Sequence, residues 1–340
     1  MFVPLAVAAL VGVVGLVYRS LRSPPPKICG SADGPPVTSP RVKLSDGRCL
    51  AYREVGVPRG EAKHKIVVVH GFSSSKDLNL PIDQELVDEL KLYVLHYDRA
   101  GYGESDPKSP RTVRDEATDI QELADLLELG SKFYVIGISM GGYPAWSCLK
   151  YIPHRLNGVA LVAPFVHYWW PDFPSGLMRK SFGKLPMPDQ WTFRIGHYAP
   201  WLIYWWMTQK LFTSLSIMSG DMNLFSRKDL DILKNRGDSI NLRPEKITQQ
   251  GAFVSLHQDF ITGYSRWGFG PLELENPFPN GEGSVHIWQG FEDRIIPYEV
   301  NRYIADKLPW VRYHEVADGG HLCVFEKDVC EQIIRSLVTA

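Results

Sequence analysis

A single small hydroxyl stands in the stretch "KFYVIGISMGGYPAWSCLKYI", residues 132–152. Ser139 lies between Gly137 and Gly141, where a β-rich apolar run ends and a helix-like run begins. A packed core needs no serine there, and an ordinary turn would not require glycine on both sides. The pattern is G-x-S-x-G between strand and helix, the setting in which it carries a nucleophile. The glycines permit a turn tight enough to hold the serine in strained dihedrals with its hydroxyl out of the sheet. The helix that follows offers free N–H groups and the positive end of its dipole, which favour negative charge beside Ser139. A hydroxyl is a poor nucleophile until a base takes its proton, and that base needs an acid to orient it. The plain alternative, a serine in a structural turn, stands unless the chain supplies both.

The elements around the motif are legible in outline. "RVKLSDGRCLAYREVG" reads as two short strands around Asp46-Gly47, a hairpin signal. "HKIVVVHGF" is a continuous β-branched run, expected of a strand buried on both faces. "LYVLHYDRAGYGESD" is a strand ending in a glycine-rich turn. Helical spacing runs from Thr112 to Leu129, with Thr112 and Asp115 able to form a capping box. "KFYVIGIS", "GGYPAWSCLKYI" and "LNGVALVAPF" then alternate strand, helix, strand, so the sheet is expected to be largely parallel with helices on both faces. After Pro164 the alternation stops. Residues 165–283 are helix-like or irregular and hold Trp169, Trp170, Trp191, Trp201, Trp205, Trp206 and Trp267. It resumes with "SVHIWQG" and continues to a last helix, "VFEKDVCEQIIRSLV". An insertion that leaves a parallel sheet where its strands end is placed to be a lid over a site.

Together these pieces resemble the α/β-hydrolase family, from about residue 41 to the C-terminus with the lid excepted. The resemblance implies an α/β fold in three blocks: core residues 41–164, a mainly helical lid at 165–283 inserted after the sixth strand, and core residues 284–340. His70-Gly71-Phe72 resembles the family's oxyanion loop, which implies that the backbone N–H groups of Phe72 and Met140 bind a developing oxyanion. "DRAGYGESD" is similar to D-x-R-G-x-G-x-S, with Ala100 where arginine is usual and Arg99 one place earlier; Asp98, Arg99 and Ser105 are expected to be structural. "QGFEDRIIP" resembles H-G-x-x-D-x-x-V-P, implying Asp293 as the acid, with Glu292 its nearest rival and Gln289 replacing the usual histidine as a change of packing. "DGGHLCVFE" resembles the G-G-H segment, implying His321 as the base. The order Ser139, Asp293, His321 is that of the fold. Relatives that attack with aspartate at the elbow form an ester with the substrate; serine there implies an acyl-enzyme. His70 is expected to bond loop backbone, and the remaining histidines to be surface or satisfied core residues. No cofactor or metal is implied, and no cluster has metal-ligand spacing.

Composition narrows the partners. With 340 residues and a net charge of −1, the chain can bury a large core and gives no electrostatic reason to bind nucleic acid. Five scattered cysteines read as reduced packing thiols. The first 18 residues, "MFVPLAVAALVGVVGLVY", carry no charge and as a helix would span roughly 27 Å. Arg19, Arg22 and Lys27 follow, so residues 1–22 are expected to be a membrane anchor that keeps the enzyme domain cytosolic, with residues 23–40 a Pro-rich linker. Cleavage of this segment on an organellar or secretory route is the alternative. Aromatic stretches in the lid suit either the lid's own core or an apolar acyl tunnel. The sum is an expected serine hydrolase of lipophilic carboxylic esters. A slow ligand-binding receptor, or an acyltransferase or perhydrolase using the same pocket, remain alternatives.

Overall fold

A computed structural model describes Gly12, Gly15, residues 18–240 and residues 243–339. The expected anchor therefore lies mostly outside the described residues. Among those described, no helix is long and apolar enough to cross a membrane.

An eight-stranded sheet organises the chain in the order β1-β2-β4-β3-β5-β6-β7-β8. The strands are β1 (Arg41–Lys43), β2 (Cys49–Gly56), β3 (His64–Val69), β4 (Leu92–Tyr97), β5 (Phe133–Ile138), β6 (Leu156–Val162), β7 (Ser284–Gly290) and β8 (Val311–Val316). β1 and β2 pair antiparallel around the Asp46-Gly47 turn, and β2 pairs antiparallel with β4. From β4 to β8 every pairing is parallel. Strand side chains alternate between two cores: Val67, Val69 and Val135 enter one, Ile66, Val68 and Ile136 the other. Both faces must then be covered. Helices α1 (Gln84–Leu90), α2 (Val113–Leu126) and α3 (Gly142–Tyr151) follow β3, β4 and β5 in turn. The Thr112–Asp115 capping box starts α2, satisfying two N–H groups that helix geometry leaves without partners.

Between β6 and β7 lies the insertion expected to be a lid, with helices α4 (Ser175–Gly183), α5 (Met187–Tyr198), α6 (Ile203–Thr208), α7 (Arg227–Ile240), α8 (Pro244–Ile247) and α9 (Gln258–Gly263). Two further helices, α10 (Tyr298–Lys307) and α11 (Lys327–Val338), complete the chain. Ile120 and Leu123 of α2, Trp146 and Leu149 of α3 and Ile304 of α10 pack one face; Leu86 of α1 and Ile333 and Leu337 of α11 pack the other. Full burial of each such aliphatic side chain contributes about 1.5–3 kcal/mol.

The strand order has a functional consequence. From β3 the chain moves outward to β4, then returns to the opposite side of β3 for β5. The loops after β3 and β5 consequently flank the crevice at the sheet's carboxyl end where the order reverses, which is where open α/β sheets bind ligands. Part of the Pro-rich stretch lies against the globule rather than standing clear of it. Thr38 and Ser39 donate to the Glu104 carboxylate through backbone and hydroxyl groups, and the Cys29 N–H reaches Gln250. All five cysteines are free thiols, and all but Cys49 are buried.

Candidate active site

Ser139 directly follows β5 with φ 53°, a strained value for a residue with a Cβ. Its flanking glycines answer to space. A Cβ on Gly137 would meet the Gly141 carbonyl oxygen at 2.5 Å and Ala145 Cβ at 2.7 Å; one on Gly141 would meet the Val69 carbonyl oxygen at 2.2 Å. Strand β5, helix α3 and the end of β3 approach so closely that only hydrogen fits at either position.

The loops after β7 and β8 bring the predicted acid and base to this serine. His321 Nε2 lies 3.0 Å from Ser139 Oγ, and His321 Nδ1 lies 2.9 Å from Asp293 Oδ2. With Nδ1–H donating to the carboxylate, Nε2 is left as the acceptor for the serine proton. Burial alone would lower the His321 pKa, but the charge and hydrogen bond of Asp293, with the charge of Asp229 behind, raise it above its ordinary 6.5. Asp293 is itself held firmly: Oδ1 accepts from the Ile295 and Ile296 N–H groups, each at 2.9 Å. Gln289 Nε2 donates to Asp293 Oδ2 at 3.0 Å, and Gln289 Oε1 accepts from Asn301. Gln289, read from the sequence as a packing change, thus orients the acid. Glu292 is exposed and does not join this chain of hydrogen bonds; its backbone N–H bonds Gly319.

On the other side of Ser139, Phe72 and Met140 line the same cavity as the serine and His321. The Gly71 backbone packs against Ser139, since a Cβ there would lie 3.1 Å from the serine Cβ. His70 is fully buried, and burial first, then the charge of Arg99, push its pKa well below the ordinary value. The neutral ring donates from Nδ1 to the Gly71 carbonyl and accepts the Arg99 N–H at Nε2. The Arg99 side chain donates to the His70 and Gly71 carbonyls, so one arginine grips the loop twice.

Arg99 is in turn fixed by the lid. Asp259 of α9 accepts both terminal nitrogens of Arg99 at 2.6 Å, Arg111 at 2.7 Å and the Tyr102 hydroxyl at 2.5 Å. Tyr143 and Glu116 complete the group. Burial works to raise the Asp259 pKa, but the two guanidinium groups hold it down to about 2. Asp98 accepts the Lys76 and Glu104 N–H groups, and Ser105 bonds the Asp98 carbonyl, holding the neighbouring turn.

Residues 66–333 match the sequence profile described as the "Alpha/beta hydrolase family". The chain belongs to the α/β-hydrolase family. Among curated proteins it is similar to monoacylglycerol lipase ABHD6 of Mus musculus, 32% identical over 111 residues, 31% of this chain and 32% of that protein. The chain spans less than half the length of the curated relatives it matches. Its fold is similar to a thermophilic esterase from Thermogutta terrifontis, at TM-score 0.54 and 22% identity over 88% of this chain and 97% of that one. It is also similar to an esterase from Exiguobacterium antarcticum, at TM-score 0.60 and 17% identity over 89% of this chain and 100% of that one. At these identities the structural likeness speaks to the fold.

The site of this α/β hydrolase opens into a cavity of about 210 Å³ whose walls are mostly apolar. Phe72, Phe165, Phe193, Phe260 and Tyr264 supply much of the lining, and no tryptophan is among the residues that line it. Of the aromatic stretches, residues 165–173 contribute Phe165, Val166 and Tyr168 to this lining, whereas residues 197–212 contribute nothing. The lid tryptophans pack elsewhere, Trp169 stacking on His197 with ring centroids 4.5 Å apart, while Trp191 and Trp201 face solvent. Among the described residues no group of three or more His, Cys, Asp or Glu could hold a metal ion. Three residues at this site, Asn301, Asp259 and Asp229, escaped the sequence reading, and Gln289 was read there only as a change of packing. Of these three, Asp229 alone had a local signal, the Ser226-x-x-Asp229 start of a helix; Asn301 and Asp259 are tied to the site by contacts with other elements of the fold.

Proposed function

We propose that the protein is a serine hydrolase that cleaves lipophilic carboxylic esters through an acyl-enzyme. The observation that carries this reading is the unbroken hydrogen-bonded line from Asp293 through His321 to Ser139, at 2.9 and 3.0 Å. In the first half-reaction Ser139 Oγ attacks the ester carbonyl while His321 Nε2 takes the hydroxyl proton. Asp293 stabilises the imidazolium so formed, and the N–H groups of Phe72 and Met140 bind the oxyanion. Collapse expels the alcohol, which receives the proton from His321. Water then attacks the acyl-enzyme with the same imidazole as base, releasing the carboxylic acid and restoring Ser139. The lipophilic character is supported by the apolar walls of the cavity and by Ile217, an apolar side chain that lines it while 39% exposed.

A fluorophosphonate probe tests the reading. It is expected to label the wild-type protein and leave Ser139→Ala unlabelled, with ester turnover reduced by a factor on the order of 10⁶. Equal labelling of the two proteins removes Ser139 from the mechanism.

A further inference from the structure

The loop that carries His321 is held by a carboxylate from the lid. Asp229 and Ser226 are fully buried at the start of α7, where the Ser226 N–H donates to Asp229 Oδ2 and the Asp229 N–H donates to Ser226 Oγ. This reciprocal pair fixes the carboxylate in one orientation. Its remaining capacity points outward from the helix: Oδ2 accepts the His321 N–H at 3.0 Å and Oδ1 accepts the Leu322 N–H at 2.7 Å. The preceding residue shows how closely the two segments fit. A Cβ at Gly320 would lie 1.9 Å from Asp229 Oδ2 and 2.4 Å from Ser226 Oγ. The same helix reaches the cavity through Leu233, and the turn before it through Leu224 and Phe225. A substrate pressing on these side chains therefore presses on the element that holds the base.

We infer that Asp229 is a positioning residue for the reaction, a lid-borne carboxylate that sets the His321 imidazole between Ser139 and Asp293 by gripping the backbone N–H groups of His321 and Leu322. The inference rests on the Ser139–His321–Asp293 reading of the site. A capping box alone accounts for one accepting bond of this carboxylate and leaves the two to the histidine loop unexplained. Charge adds to geometry. The imidazole becomes a cation during the reaction, and Asp229 is the second negative charge acting on it after Asp293. The other groups around the contact are the Cys323 thiol, whose pKa burial raises, and Lys228, which pairs with Asp318 at 2.6 Å and Glu326 at 3.2 Å. Lys228 is more than a third exposed and ties down the outer side of the same turn.

Asp229→Asn keeps the shape but turns an amide nitrogen toward backbone N–H donors and removes the charge. Measured on the full chain with a soluble ester, kcat is expected to fall by ~10²-fold, as for a misplacement of about 1 Å, while KM changes little. The midpoint of the acidic limb of kcat/KM is expected to move to lower pH, a change that a merely structural role would not produce. Gly320→Ala retains the carboxylate but displaces it, and is expected to lower kcat without that shift of the limb. It also carries the test if Asp229→Asn does not fold. Wild-type kcat in either folded variant, or an unchanged acidic limb in Asp229→Asn, overturns the inference. Ser139→Ala measured alongside separates the two claims: if it is inert while Asp229→Asn keeps full activity, the serine mechanism stands and the positioning role falls.

Discussion

The lid grips the hydrolase core at two points, and the two grips are built differently. Asp259 reaches the His70–Gly71 loop through Arg99, with Arg111 as its second countercharge, all of them almost completely buried. Asp229 reaches the histidine side through backbone N–H groups. The first grip supplies its own countercharges, so its carboxylate stays ionised despite burial, and the arginine hydrogen bonds are spent on the loop carbonyls of His70 and Gly71. The second leaves its charge available to the imidazole it supports. The difference teaches where each device is useful. In the proposed mechanism a loop that only has to present N–H groups to an oxyanion tolerates a rigid ionic lock, whereas a base that changes charge in every cycle is better served by a carboxylate committed to neutral donors.

Breaking the ionic grip tests the contrast most severely. Asp259→Ala leaves two arginines buried without their shared partner, and removing one member of such a group costs about 3–5 kcal/mol. Urea unfolding is expected to show a loss of that size; a loss under about 1 kcal/mol would mean that the grip contributes little stability. Acid sharpens the comparison at a smaller scale. Because the folded Asp259 carboxyl titrates near 2, below its ordinary 3.8, the folded state binds this proton less readily than the unfolded chain does. The resulting stability, on the order of 2 kcal/mol, is present above about pH 4 and is lost as pH falls toward 2. The stability gap between wild type and Asp259→Asn is accordingly expected to close over that window, as followed by urea unfolding at each pH. The mildest probe is Tyr143→Phe, which keeps the ring and removes a hydroxyl bonded to Arg99, Asp259 and Glu116. A loss of about 1 kcal/mol is expected by the same measurement, with ester turnover nearly unchanged.

Much of the fold could be read along the chain. Alternating strand and helix runs announced a parallel sheet, and Asp46-Gly47 and Thr112–Asp115 announced a hairpin and a helix start, because each signal depends on neighbours a few residues apart. The lid was legible as an insertion but not as a surface. Its aromatic stretches suited either a core of their own or a tunnel wall; the cavity is lined by phenylalanines, tyrosines and aliphatics, and bulk alone does not say which side of a helix faces inward. Gln289 was misjudged for a related reason: its amide matters only once Asp293 and Asn301 lie beside it.

By itself the sequence made a strained elbow at Ser139 legible, since glycines on both sides of a serine between strand and helix give the backbone the freedom and the room that so tight a turn requires. It also placed Asp293 and His321 just beyond strands, where side chains can leave the sheet. Only the tertiary structure decided that His321 meets a serine 182 residues away, that Asp259 locks Arg99 across 160, and that Asp229 holds the histidine loop across 92. Such contacts follow from strand order and from the path of the lid. Those are set by packing of the whole chain, which no local spacing encodes.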